Sequence, residues 1–213
     1  MGEVSFAEEL NELLIQAGLE QAGADLAKGM EAYLELLIRW NARTNLTAVR
    51  DRSGILSRHF IECMACARIL PADIGTLLDF GSGAGLPGIP IALCRPEIVV
   101  TLAESQGKKA AFLREAVRTI GISALVYSGR AEVISMRFDC VILRAVDKMP
   151  QAIKAATGLV APHGWLALMT TDSDLDHLKA GIGVGLSPFD VYPLAGSEQR
   201  ILALARNAGA MNG

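Results

Sequence analysis

The sequence predicts an α/β protein in which an open, mostly parallel sheet follows a small helical N-terminal cap and ends in an antiparallel hairpin. Three observations predict it. Over the first seventy residues the apolar positions recur at spacings of three and four. From Thr76 onward short apolar runs alternate with helical segments, the pattern of a parallel sheet covered on both faces. Near the end, two strand-like runs are separated by a short turn, which only an antiparallel pair can use. The change of rhythm divides the chain into a cap, residues 1–70, and an α/β domain, residues 71–213.

The elements follow in order. Phe6, Leu10, Leu13, Leu14 and Ala17 share one face of a helix over Phe6–Leu19, broken at Gly18. A second helix starts near Asp25, with Met30, Tyr33, Leu34, Leu37 and Ile38 inward. Asn41–Arg52 is polar and without period, so a structured loop is expected. Ser53 suits the N-cap of a third helix that buries Ile55, Leu56, Phe60, Met64 and Ala67 and ends by Pro71. Strands are expected at Thr76–Phe80, Ile98–Ala103, Ala124–Tyr127, Phe138–Leu143 and Gly164–Thr170. Helices fit between them at Gly88–Cys94, Lys108–Ile120 and Pro150–Leu159. Phe189–Pro193 and Arg200–Ala205 form the closing hairpin.

Composition narrows the class. With 213 residues, 51 % apolar and 20 % charged, the chain buries a core without staples and is not a disordered one. Mean hydropathy is high, +0.34, but the longest uncharged stretch, Ala155–Thr171, is interrupted by Gly158, Pro162, His163 and Gly164 and is too short to span a bilayer. The N-terminus is acidic and lacks the basic region of a signal peptide. A soluble, cytoplasmic, monomeric protein without a membrane contact is expected. Cys63 and Cys66 form a CxxC, but no second pair exists and the segment is an apolar helix, so these thiols are assigned to the core and no metal is expected. Net charge is −3, yet Arg39, Arg43, Arg50, Arg52 and Arg58 face only Asp51, and Lys108, Lys109, Arg114 and Arg118 face only Glu115. Either cluster alone is a solvated helix face; two flanking one candidate site suggest a polyanion.

That site is Leu77-Leu78-Asp79-Phe80-Gly81-Ser82-Gly83-Ala84-Gly85-Leu86-Pro87-Gly88. A buried strand runs into closely spaced glycines, which let backbone amides approach a ligand beyond the strand's carboxyl end. Two ligand classes fit. Gly83 to Gly88 matches the dinucleotide pattern GxGxxG, and the register from Asp79 through Gly81, Gly83 and Gly85 matches that of S-adenosylmethionine methyltransferases. Glu104, about twenty residues on at the end of the next strand, suits ribose hydroxyls in either class; otherwise it is an exposed strand-end acid. The antiparallel hairpin and the lack of a Tyr-x-x-x-Lys pair favour the methyltransferase.

The residues also carry a resemblance. Trp40-Asn41, the run from Asn45 to Asp51, Arg58-His59, the glycine loop through Pro90, Arg95-Pro96-Glu97, Gly107-Lys108-Lys109, Phe112-Leu113-Arg114, Arg130-Ala131-Glu132, Phe138-Asp139 and Arg144-Ala145 resemble the bacterial 16S ribosomal RNA guanine-N7 methyltransferases, the glucose-inhibited division protein B family. The resemblance implies a Rossmann-like, class I S-adenosylmethionine-dependent fold. It implies methyl transfer to N7 of a guanosine in the 530 loop of 16S rRNA, with free rRNA or a small-subunit particle as partner. It implies cofactor contacts at Gly81, Gly83, Gly85, Leu86, Glu104, Ala131, Glu132 and Arg144. Arg144, Asn45 and His59 become the candidate catalytic residues, and Arg43, Arg50, Arg58, Lys108 and Lys109 the phosphate contacts. Two positions depart from the family pattern: Glu62-Cys63 replaces Asp-Ser, and Thr170-Thr171 stands where many relatives carry Lys-Gly. The alternative is a small-molecule or protein methyltransferase on the same core; a nucleotide-binding module without chemistry is the third reading.

Guanine N7 offers an exposed lone pair, so its methylation needs no deprotonation and asks chiefly for in-line placement. No general base is therefore expected. By themselves His59 would be a structural histidine and Arg144 half of a surface ion pair.

Overall fold

The computed structural model describes residues 4–179 and 185–209. Helix α1, Phe6–Gln16, opens on a capping box in which the Ser5 hydroxyl accepts from the Glu8 amide and the Glu8 carboxylate accepts from the Ser5 amide. It stops before Leu19 because Gly18 turns the chain at φ +68°. Helix α2, Ala24–Thr44, runs further than the periodicity indicates and takes in the first residues of the expected loop. The reason is Asn41: it is buried, its Oδ1 accepts from the Thr47 amide at 3.0 Å, and its amide donates to the Val49 carbonyl at 3.3 Å. A polar side chain thus continues the helix by organising the loop behind it. Asn45 caps α2 in the left-handed region.

The next helix begins earlier than expected. Asp51, not Ser53, is its N-cap, with Oδ1 accepting from the Gly54 amide at 2.6 Å. It runs as α3, Arg52–Ile55, a wide π-type turn at Leu56–Phe60, and α4, Ile61–Ile69. Such wide turns concentrate at functional sites, and this one carries His59. Cys63 and Cys66 both point from α4 into the core, where burial pushes the Cys63 thiol up to about 12.

Seven strands form one sheet: β1 Thr76–Phe80, β2 Val99–Glu104, β3 Ala124–Ser128, β4 Phe138–Arg144, β5 Val160–Thr171, β6 Asp190–Pro193 and β7 Arg200–Arg206, in the order β3-β2-β1-β4-β5-β7-β6. Only β7 is reversed. It pairs antiparallel with β5 and with β6, so the expected hairpin exists but its second strand lies inside the sheet. β2 extends through Glu104, and β5 starts at Val160, ahead of Gly164, with irregular register opposite Phe138 and Cys140. α5, Gly88–Cys94, and α6, Gly107–Ile120, cross over between the first strands, and α7, Met149–Thr157, between β4 and β5. A further helix that the apolar pattern does not announce, α8, Asp172–Lys179, follows β5 and buries Leu175 and Leu178. Between β3 and β4 only a short 3-10 turn, Ala131–Val133, intervenes.

Side-chain alternation along the strands divides the core. Leu77, Cys140 and Ile142 face one side, together with α5, α6 and the N-terminal helices in a single hydrophobic cluster. Leu78, Val141 and Leu143 face the other, against α7 and α8. Among the described residues, no helix is long and apolar enough to cross a membrane.

Candidate functional site

All the parallel strands end at one edge of the sheet, and there a cleft of about 620 Å³ opens, within the range of small-molecule sites. β1 delivers the glycine loop, β2 delivers Glu104, β3 delivers Arg130 and Glu132, and β4 delivers Arg144. Because β7 runs in reverse, its first residue, Arg200, reaches the same edge.

The glycine loop is held from three directions. Gly81, Gly83 and Gly85 all have positive φ, +74°, +55° and +84°, which only glycine adopts without strain. Their duties differ. A Cβ on Gly83 would make only an ordinary contact, 3.8 Å from the Gly81 carbonyl oxygen, and this residue lines the cleft, whereas a Cβ on Gly85 would stand 2.4 Å from the Ile89 side chain. Gly85 thus serves packing and does not line the cleft. From beneath, Asp79 accepts from the Gly88 amide at 3.1 Å; burial raises its carboxyl to about 6, with Ser82 and the Gly88 amide pulling the other way. From α2, the buried Tyr33 hydroxyl donates to the Ala84 carbonyl at 2.6 Å while its ring stacks on Phe60 at 5.1 Å. From β2, Glu104 accepts from the Gly83 amide at 2.9 Å and the Gln106 amide at 2.7 Å, one on each oxygen. Glu104 is therefore a buried, oriented acid rather than an exposed strand end. Each of its oxygens keeps a further lone pair, the arrangement a ribose diol requires. Among the described residues, no group of three or more His, Cys, Asp or Glu is arranged to hold a metal ion.

The facing wall comes from the N-terminal segment. Leu46, Thr47 and Ala48 line the cleft beside His59. One guanidinium nitrogen of Arg144 lies 2.9 Å from His59 Nδ1 and 3.2 Å from Glu62 Oε2, and the Arg144–Glu62 pair is almost fully buried. Burial and the Arg144 charge lower His59 to about 4, so its ring is neutral at pH 7. Burial raises Glu62, with Arg144 opposing. Both His59 nitrogens are engaged, since Nε2 lies 2.8 Å from Thr47 Oγ1.

The expected site residues are distributed unevenly. Gly81, Gly83, Leu86, Glu104, Glu132, Arg144, His59 and Lys109 line the cleft, and Ala131 is buried beside it. Asn45 does not line it: it turns outward, and its Oδ1 accepts from Arg50 at 2.8 Å. Arg43, Arg50, Arg58 and Lys108 are exposed outside the cleft lining. Three cleft residues, Thr47, Lys148 and Arg200, carry no site signal that the sequence reveals directly. For Arg200 the hairpin is the indirect signal, because an antiparallel last strand must begin at the edge where the parallel ones end. The departures have local roles too. The Thr171 hydroxyl accepts from the Asp174 amide at the start of α8 and donates to the Asp174 carboxylate, and Glu62 is the buried partner of Arg144.

Residues 26–182 match the family described as GidB, rRNA small subunit methyltransferase G. The chain belongs to that family. It is 41 % identical over 177 residues to ribosomal RNA small subunit methyltransferase G from Xanthomonas campestris pv. campestris, covering 80 % of this chain and 81 % of that protein. In fold it is similar to mitomycin 7-O-methyltransferase MmcR, with a TM-score of 0.64 at 16 % identity over 94 % of this chain and 67 % of that one. An O-methyltransferase from Bacillus cereus, solved in complex with SAH, aligns at TM-score 0.54 and 16 % identity over 82 % of this chain and 90 % of that one. The likeness to these two solved structures is one of fold.

Proposed function

We propose that the protein transfers a methyl group from S-adenosylmethionine to N7 of a guanosine in the 530 loop of 16S rRNA, in the cytoplasm. The observation that carries this is Glu104: one carboxylate fixes the glycine loop through Gly83 and still offers acceptors to the cleft. Membership of the methyltransferase G family supplies the nucleic-acid substrate class.

S-adenosylmethionine supplies a methyl group already activated by a sulfonium centre. The chain's own residues then have to bind, orient and exclude water. Gly81, Gly83 and Leu86 would hold the cofactor from the loop side, Glu104 would accept from its ribose, and Glu132, with the buried Ala131 beside it, would border its base. A guanine N7 lone pair needs no proton removed, which agrees with a His59 whose two nitrogens are both occupied. Arg43, Arg50, Arg58, Lys108 and Lys109 provide the salt-sensitive contacts to phosphates. The rRNA is met as free RNA or within a small-subunit particle.

The test is direct. Small-subunit particles from a strain lacking this gene are incubated with the purified protein and S-adenosylmethionine, and 7-methylguanosine is mapped. Its appearance in the 530 loop is the expected result. Reversing the charges of Arg43, Arg50 and Lys108 abolishes that product and leaves cofactor affinity intact. Calorimetry that detects NAD binding and no S-adenosylmethionine binding would overturn the reading.

A further inference from the structure

We infer that the Thr47 hydroxyl is a specificity-determining donor to O6 of the target guanine; the assignment rests on the function proposed above. It comes from a chain of hydrogen bonds whose direction is fixed at one end. Arg144 carries only donors, so at 2.9 Å it compels His59 Nδ1 to accept. A neutral imidazole that accepts at Nδ1 bears its proton on Nε2, and Nε2–H then donates to Thr47 Oγ1 at 2.8 Å. The Val49 amide donates to the same oxygen at 3.2 Å. Both lone pairs of the Thr47 hydroxyl are thereby filled. Its hydrogen has no acceptor among the described residues, and Thr47 lines the cleft. An ordinary threonine hydroxyl gives or takes a hydrogen bond by rotating; this one can only give.

A donor-only group in a purine site discriminates. Beside N7, guanine presents the O6 acceptor, whereas adenine presents the N6 amino donor. Thr47 therefore pairs with guanine and opposes adenine, leaving the N7 lone pair free for the methyl group. Arg144 and His59 act here as positioning residues, because they set the direction of the Thr47 hydrogen. Glu62, buried against Arg144 at 3.2 Å, anchors the first link of the chain.

The experiment compares the wild type, Thr47→Val and Thr47→Ser on small-subunit particles carrying either guanosine or 2-aminopurine at the target position. 2-Aminopurine keeps N7 and lacks O6. In the wild type, kcat/KM falls about 10- to 100-fold when O6 is removed, the loss expected of one hydrogen bond in a closed site. Thr47→Val suffers the same loss on guanosine and no further loss on 2-aminopurine, while Thr47→Ser recovers most of the wild-type rate. Melting temperature and S-adenosylmethionine affinity, measured for each variant, exclude misfolding and a contact to the cofactor carboxylate. Equal losses for Thr47→Val on both bases, or a loss confined to cofactor affinity, would overturn the assignment and leave the proposed function standing. A wild type that makes no 7-methylguanosine on guanosine particles overturns both.

Discussion

The glycine-loop wall of the cleft and the wall that faces it are held by different means. The first is nearly continuous in sequence, from Asp79 to Gly88, and is secured by backbone conformation and by carboxylates that accept backbone amides. The second brings Thr47, His59 and Glu62 of one N-terminal segment together with the distant Arg144 and Arg200, and is secured largely by side chains bonded to side chains. A wall of the first kind tolerates change at a distance and fails when a glycine or its tether changes. A wall of the second kind fails as a unit when one central member is removed, because buried polar groups then lose their partners.

Arg144→Met is the strongest way to break this contrast. It leaves Glu62 as an uncompensated buried acid and is expected to cost about 3–5 kcal/mol. At about 2–4 °C per kcal/mol for a chain of this size, thermal unfolding should show a drop of roughly 6–20 °C. Adding Glu62→Gln removes the stranded charge and should restore much of the loss. If the double variant melts as low as the single, the charge pair is not what holds this wall.

The two walls also carry opposite pH dependence. Asp79 is raised from 3.8 to about 6, so its contribution to stability is complete below 3.8 and is lost as pH rises through about 6. His59 is lowered from 6.5 to about 4, so its contribution is complete above 6.5 and is lost as pH falls through about 4. Asp79→Asn, which keeps an oxygen for the Gly88 amide, should therefore gain about 3 kcal/mol at pH 8 and well under about 1 kcal/mol at pH 4. Urea unfolding at both pH values checks this. A variant that follows the wild-type pH profile would remove Asp79 as the titrating group beneath the loop.

Tyr33→Phe probes the bond that ties helix α2 to the glycine loop. Losing the hydroxyl that donates to Ala84 should cost about 1 kcal/mol. S-Adenosylmethionine affinity should weaken by about 2- to 5-fold, with rRNA affinity unchanged. Weakening of both would mean that the two walls share a single mechanical support.

Local chemistry makes one of the two walls legible in the sequence. Strand-to-glycine register, the acid about twenty residues later and the two periodicities predict the sheet, the loop and Glu104, because each rests on residues close in the chain or on backbone conformations that only particular residues adopt. The same reasoning misplaces what depends on a distant partner. Asn41 reads as the start of a loop and instead continues α2, because its amide is satisfied by Thr47 and Val49. Ser53 reads as a cap, although Asp51 is the residue that accepts from the first turn. Asn45 reads as a cleft residue and turns away to Arg50. Thr47 carries no signal of its own. What the sequence determined alone was the order of elements and the half of the site written in contiguous residues, since propensity and periodicity act over a few positions. Only the tertiary structure decided that His59 would meet Arg144, that Arg200 would arrive on a reversed strand, and that a threonine hydroxyl would be left with nothing but a hydrogen to offer. Those outcomes depend on which groups are buried against one another, and that is fixed by packing across the whole chain.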